Sequence, residues 1–171
     1  MMRDPRDEAY EAAQVCVNGH LITTWADTYP QETSDRCDKC GAETVTECPS
    51  CSTIIRGHQR NSGVIGFRFP VPSFCHRCGK PYPWTEAKIR AAKELAQLVE
   101  GSPEDKKLLE ASIDELVRDT PAATVAAVRF KAMVSKAGKS VVDAFRDILV
   151  DVLSEAVKKT IWPEAPPSRR R

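Results

Sequence analysis

The chain has 171 residues, of which 42% are hydrophobic and 29% are charged, and its formal net charge is +1 at pH 7. This composition is typical of a globular protein of one or two domains, and no apolar run approaches the ~20 residues that span a bilayer. No basic segment followed by an apolar stretch opens the sequence, so we expect no export signal, a cytoplasmic location and no membrane role.

The first 78 residues contain eight candidate metal ligands in four closely spaced pairs, which use all seven cysteines. In chain order the pairs are Cys16 and His20, Cys37 and Cys40, Cys48 and Cys51, and Cys75 and Cys78. Tetrahedral zinc takes four Cys or His donors, and donors two residues apart can bind one metal from a tight turn. The pattern therefore predicts two structural zinc ions, each held by four protein ligands.

The four pairs can be divided between two metals in two ways. Sequential pairing places one site within residues 16–40 and the other within 48–78, as in two consecutive zinc ribbons. A cross-brace would instead join the first pair to the third and the second to the fourth. A short strand within residues 43–47 suits both arrangements. We favour sequential pairing, because each half then has room for its own hairpin.

Other uses of these cysteines fit less well. An odd number of cysteines without an export signal argues against a disulfide framework, and no CxxC pair lies in the strand-then-helix context of a redox motif. Four protein donors leave no position for water or substrate, so neither site would be catalytic. Because the sequence also lacks a phosphate-binding loop, a nucleophile elbow and a His-Glu-x-x-His helix, we expect no enzyme.

Metal binding would change the charge of the chain. Seven thiolates subtract seven charges from the formal +1 and two zinc ions add four, which leaves about −2. An acidic holo protein is a poor candidate for non-specific binding to a phosphate backbone. With few aromatic residues, the N-terminal half also has little material for a core, so metal removal should unfold it.

Residues 54–72 are more apolar than a simple loop requires. We expect Val64, Ile65, Phe67 and Phe69 to pack against the protein's own helices, although the segment could instead be an exposed recognition loop. Trp84, after a proline-rich run, is placed to join the metal-binding region to the first helix. His58 and His76 fall outside the four pairs and are interpreted as exposed polar residues.

Four helices are predicted from residue 85 to residue 161. The expected starts are Thr85, Ser102, Thr120 and, with Asp143 in capping-box position, Ser140; the expected ends are Val99, Arg118, Ala137 and Ile161. The third helix should be the most buried, because Val125, Val128, Phe130, Met133 and Val134 are spread around it. The tail, residues 162–171, should be disordered.

The fourth predicted helix carries an acidic ridge opposite its apolar stripe. The ridge consists of Asp143, Asp147, Asp151 and Glu155, each four residues apart. We interpret it as a solvated face; the alternatives are a docking strip for a basic partner, or for the bases Arg129, Lys131, Lys136 and Lys139 of this chain.

The sequence thus predicts an α+β fold, with two consecutive zinc-ribbon modules in residues 1–84 and a four-helix region in 85–161. The motifs around the eight donors, together with Ile55-Arg-Gly57 and the run Cys78-Gly-Lys-Pro-Tyr-Pro-Trp-Thr-Glu86, resemble an uncharacterised bacterial family of unknown function. Its members pair a double zinc ribbon with a helical half. This resemblance implies a metal-binding arrangement with the same eight ligands, and no activity.

Three functional hypotheses follow. The first is a non-enzymatic adaptor that binds a protein partner, or a second copy through its helical half. The second is a nucleic-acid-binding ribbon, which requires a basic, aromatic face around Arg56, Arg60, Phe67, Arg68 and Phe69. The third is a RING-like module that docks a carrier enzyme, which requires interleaved zinc pairs.

Overall fold

A computed structural model describes residues 5–60 and 69–163 of the chain. The chain divides into two compact units, Met1–Ala87 and Lys88–Arg171. Short antiparallel strands make up the regular structure of the first unit, together with two 3₁₀ turns and the start of a helix that continues into the second unit. The remaining helices all lie in the second unit. The predicted α+β fold class is confirmed.

In the described residues of the first unit there are two small antiparallel sheets. Their strands are β1 (Tyr10–Ala12), β2 (Gln14–Cys16), β3 (Leu21–Thr23), β4 (Thr44–Val45) and β5 (Arg56–Gln59). One sheet has the order β3-β2-β4, and the other pairs β1 with β5. The strand predicted between the second and third cysteine pairs is therefore present as β4, and it pairs with β2 through Val15 and Val45.

The core of the first unit is built around two stacked aromatic rings. Tyr82 and Trp84 lie with their ring centroids 4.6 Å apart, and the Trp84 indole donates a hydrogen bond to the carbonyl of Pro72 at 2.8 Å. Ala13, Val15, Ile55, Cys48 and Cys75 complete this buried cluster. Trp84 is thus a core residue of the first unit and at the same time the second residue of the first helix.

Part of the apolar segment 54–72 is buried in this unit. Ile54 and Ile55 are 7% and 0% exposed, and Phe69 and Val71 pack against the aromatic cluster. The predictions for Val64, Ile65, Phe67 and Arg68 lie outside the described residues.

The described residues form five helices where four were predicted. They are α1 (Pro83–Gln97), α2 (Pro103–Val117), α3 (Pro121–Val134), α4 (Lys139–Leu149) and α5 (Glu155–Ile161). The predicted fourth helix is interrupted between Leu149 and Glu155. Val152 and Leu153 stay buried in that turn, and the Ser154 hydroxyl accepts a hydrogen bond from the Val157 N–H as the N-cap of α5. The sequence did not reveal this break, because the residues of the turn also face the core and the apolar pattern therefore continues through it.

Two predicted helix caps were wrong, because in both cases the helix begins before the expected cap residue. Thr85 does not cap α1: it is fully buried and donates its hydroxyl proton to the carbonyl of Ser73. The helix begins two residues earlier, at Pro83. Asp143 forms no capping box, since α4 begins at Lys139 after Gly138, whose φ is +84°. The capping box of α2, formed by Ser102 and Asp105, is present as predicted.

The third helix is buried on one side only. Phe130 packs edge-on against Phe145 of α4, with ring centroids 5.1 Å apart, and α3 also contacts α2 and α5. Val125 and Val128, however, are each 59% exposed. The prediction that these two valines would be buried was wrong, because their helix has an uncovered outward face.

The end of the chain also differs from expectation, whereas the four acids of the ridge are exposed, as predicted for a solvated face. Trp162, assigned to the tail, is buried as the C-cap of α5, while residues 164–171 lie outside the described part. Within the part of the chain that the structure describes, the acids of the ridge do not pair with Arg129, Lys131, Lys136 or Lys139. Lys88 binds Asp151 and Lys158 binds Glu155, each at 2.8 Å. None of the helices in the described ranges is long and apolar enough to cross a membrane.

Candidate metal centres

The first group of donors is assembled by the three-stranded sheet and a neighbouring turn. Cys16 ends β2 and His20 precedes β3, so the turn between these strands presents both toward the Cys37–Cys40 turn. The Cys16 Sγ lies 3.8 Å from the Cys40 Sγ and 3.5 Å from the His20 Nδ1, which is itself 3.6 Å from the Cys37 Sγ. This arrangement, which we call site one, could hold a metal ion.

The second group, site two, consists of four cysteines on two turns. Each turn is closed by a backbone bridge, Glu47 with Ile54 and Phe74 with Pro81. The Cys48 and Cys78 sulfurs lie 3.8 Å apart, and the Cys51 and Cys75 sulfurs lie 3.7 Å apart. A disulfide requires about 2.05 Å between sulfurs, so all seven cysteines are free.

The two turns of site two face the aromatic core of the first unit. Cys48 and Cys75 belong to the buried cluster that contains Tyr82 and Trp84. Burial raises the pKa of the Tyr82 hydroxyl, and the neighbouring Cys75 and Cys48 thiols raise it further. The tyrosine is therefore a neutral, apolar wall of the site at neutral pH.

The donors of each site have contrasting environments. Cys16, Cys37, Cys48 and Cys75 are buried, whereas Cys40 and Cys78 are exposed. Burial raises the pKa of the Cys16 thiol, and it raises that of Cys48 to about 12. Buried thiols would need the positive charge of a metal to remain as thiolates.

Polar neighbours have the opposite effect on two of the other donors. The Asn18 amide donates a hydrogen bond to the Cys40 Sγ at 3.4 Å and lowers the pKa of that thiol to about 6. The Thr53 hydroxyl lies 3.3 Å from the Cys51 Sγ and likewise lowers its pKa to about 6. Sequence reasoning missed both residues, although each lies within two positions of a predicted donor and could have been found as a polar neighbour in a tight turn.

The structure brings the eight predicted residues together in the sequential arrangement. Within each group, the four donor atoms all lie within 4.8 Å of one another. His58 and His76 belong to neither group. Neither is simply a solvated side chain: His58 stacks on Trp25 with ring centroids 3.9 Å apart, and the His76 Nε2 lies 3.1 Å from the buried Asp7 carboxylate.

Comparison with known protein families gives a match over most of the chain. A family model described as an uncharacterized protein conserved in bacteria (DUF2321) matches residues 9–161, a range that includes both donor groups and all five helices. No curated protein and no solved structure matches the chain.

Proposed function

We propose that this chain, which belongs to the bacterial family whose model matches residues 9–161, is a non-enzymatic zinc protein of the cytoplasm that works as an adaptor. In this proposal two structural zinc ions hold the zinc-ribbon modules of the first unit in shape, and protein partners bind the surfaces so fixed. The observation that carries the proposal is the presence of two complete four-donor groups.

The spacing within each group supports zinc as the metal. Four sulfurs at about 2.3 Å from a tetrahedral zinc lie about 3.8 Å from one another, and a histidine nitrogen lies about 3.5 Å from each sulfur. In the structure the sulfur–sulfur distances are 3.7 and 3.8 Å, and the sulfur–nitrogen distances in site one are 3.5 and 3.6 Å. Thiolate-rich tetrahedral sites prefer zinc over the hard cations magnesium and calcium.

A structural role follows from the number of donors. A catalytic zinc keeps one position for water or substrate, whereas three cysteines and a histidine, or four cysteines, fill all four positions. When bound, each zinc would neutralise thiolates and cross-link two turns. Cys48 and Cys75 would connect this cross-link to Tyr82 and Trp84, with which they share the buried cluster.

The nucleic-acid hypothesis is less well supported, because the two described arginines of its proposed face are engaged by acids. Arg56 Nε lies 2.7 Å from the Asp7 carboxylate, and Arg60 binds Glu11 and Asp27 at 3.2 and 3.0 Å. Asp7 and Glu11 are 2% and 1% exposed, so they need these arginines as partners. The RING-like hypothesis loses its basis, since it requires interleaved pairs and the donors group sequentially.

Metal analysis of the purified chain tests the zinc proposal. We expect two zinc ions per chain by native mass spectrometry, and one in the variant Cys48→Ser/Cys51→Ser. The matched control is Ser50→Ala, which changes an exposed residue inside the same turn and should keep both ions. A chain that binds no zinc, or that binds only iron, contradicts the proposal.

The adaptor role needs a separate experiment. Tagged chain expressed in its own bacterium should retain a defined protein after nuclease treatment and washing in high salt, and the Cys48→Ser/Cys51→Ser variant should lose it while Ser50→Ala keeps it. Retention of nucleic acid that disappears steeply with salt would support the nucleic-acid hypothesis instead.

A further inference from the structure

The outward face of α3 carries small and apolar side chains along its centre, with the bases Arg129 and Lys131 at its two sides. The centre consists of Pro121, Val125, Val128 and Ala132, which we call the α3 strip; all four residues are exposed. The outward face of α1, by contrast, presents alternating charges at Glu86, Arg90 and Glu94. Because α2, α4 and α5 cover only the opposite side of α3, the strip has no partner within the described residues of the second unit.

The spacing of the strip is that of a helix–helix seam. Pro121, Val125, Val128 and Ala132 are separated by four, three and four residues, which is the a and d pattern of two helices packed side by side. Small side chains at the edges of such a seam allow close approach of a second helix. Valine has a lower helix propensity than alanine, so it does not stabilise an exposed helix surface by itself. We therefore interpret the two valines as packing residues.

Charges at the two ends of α3 indicate which helix would pack there. Asp119 precedes the helix and Lys136 follows it; both are exposed, and neither forms an ion pair with any part of the chain that the structure describes. If two copies of α3 pack antiparallel about a two-fold axis, each Asp119 lies near the Lys136 of the other copy, and the two helix dipoles oppose.

The bases beside the strip favour the same orientation. Arg129 and Lys131 lie on its two sides in the second half of the helix, where Ala122 and Thr124 take the corresponding places in the first half. Antiparallel packing places Lys131 beside Thr124 and Arg129 beside Ala122 of the other copy, while parallel packing would place base beside base. Within its own chain, Arg129 lies 3.8 Å from Glu115, and this contact can persist in the antiparallel pair.

We propose that the α3 strip is the docking surface for a second copy of this chain, which forms an antiparallel two-fold dimer through α3. A single helix of 14 residues is about 21 Å long and makes a small interface, so the dimer should be weak and form in the micromolar to millimolar range. The inference concerns the second unit alone. A monomeric result would overturn it and leave the zinc proposal untouched.

Sedimentation equilibrium of the full, zinc-loaded chain over this concentration range tests the proposal. We expect a monomer–dimer equilibrium that Val128→Glu weakens at least tenfold. The control is Leu98→Glu, which places the same charge at a residue that is 77% exposed but lies outside the strip, and it should leave the equilibrium unchanged. Helical circular dichroism would verify that both variants fold.

Charge reversal tests the antiparallel arrangement itself. Asp119→Lys and Lys136→Asp should each weaken the dimer, and the double variant should recover most of the lost affinity. The proposal is overturned by a chain that stays monomeric throughout, by a dimer that Val128→Glu leaves intact, or by a double variant that recovers nothing. A monomer whose strip binds vesicles of phosphatidylserine would overturn it as well and make the strip a lipid-binding face.

Discussion

At the scale of single residues, each candidate metal centre combines thiols that resist ionisation with a thiol that ionises readily. In site two, the pKa of Cys48 is about 12 because the thiol is buried, whereas that of Cys51 is about 6 because Thr53 lies beside it. The accessible thiolate can capture a metal first, and the charge of the metal can then offset the cost of ionising the buried thiol.

Asn18 and Thr53 should tune one site each. Removing the Asn18 amide in Asn18→Ala returns the pKa of Cys40 from about 6 toward its ordinary value of 9.0. Protons then compete with the metal, so we expect roughly tenfold weaker zinc binding at site one. The loss should be largest below about pH 6, should shrink between pH 6 and pH 9 as the variant thiol also ionises, and should vanish above that range.

Thr53→Val is the matched control for Asn18→Ala, because it removes the hydroxyl beside Cys51 and should weaken site two alone. Competition with a chromophoric chelator measures both affinities on the same chain. If either substitution weakened both sites equally, the two centres would not be independent, and the assignment of one polar neighbour to each would be wrong.

At the scale of secondary-structure elements, the small sheets depend on close backbone approach. Gly57 lies in β5, where an added Cβ would collide with the carbonyl oxygen of Thr24 and come within 3.0 Å of the Ala13 nitrogen. Backbone atoms cannot yield as a flexible side chain can. Gly57→Ala should therefore destabilise the first unit by about 3 kcal/mol or prevent it from folding.

Gly41→Ala is the control for Gly57→Ala. Gly41 has a φ of +69° and no atom within 4 Å of an added Cβ, so the substitution costs only the left-handed conformation, about 1 kcal/mol. Urea denaturation of the zinc-loaded protein, followed by tryptophan fluorescence, would rank the two. Equal losses would show that Gly57 is not closely packed against the neighbouring backbone.

The break between α4 and α5 gives a second test at this scale. Ser154 caps α5 through the Val157 N–H, so Ser154→Ala should cost about 1 kcal/mol of stability in the second unit. Ser140→Ala changes the residue that the sequence indicated as a cap, but Ser140 lies inside α4 and should be neutral within about 0.5 kcal/mol. Urea denaturation followed by helical circular dichroism measures the stability of both variants. If Ser140→Ala were the more destabilising of the two, a single helix that begins near Ser140 would be supported instead.

The elements that could be predicted from the sequence are those set by local chemistry. The spacing of Cys37 and Cys40, or the Ser102–Asp105 capping box, is decided within a few residues. The features that were predicted wrongly depend on contacts between residues that are distant in sequence. Thr85 looked like a helix cap until Ser73, twelve residues away, supplied its hydrogen-bond acceptor. Val125 and Val128 looked buried because periodicity identifies apolar positions but does not count how many neighbouring helices cover them.

At the scale of the whole molecule, the two units differ in what could hold them folded. In the second unit, Leu109, Ile113, Leu116, Phe130 and Phe145 form an ordinary buried core. The first unit has short strands, and its buried cysteines are metal-ligand candidates; two of them, Cys48 and Cys75, lie in the cluster of the two stacked aromatics. A core of that size supplies little free energy, so folding of the first unit should depend on metal.

Chelation should therefore unfold one unit and spare the other. If zinc holds both donor groups as proposed, its removal should make amide hydrogen exchange across residues 10–60 fast, because two cross-links would be lost and buried thiols such as Cys48 would have no counter-charge. Exchange in α2 and α3 should stay slow, since no candidate donor lies in either helix. Hydrogen-exchange mass spectrometry with and without chelator measures both, and re-addition of zinc should restore protection. Uniform loss in both units would mean that the chain folds as one cooperative body, and no loss in residues 10–60 would mean that the metals are not structural.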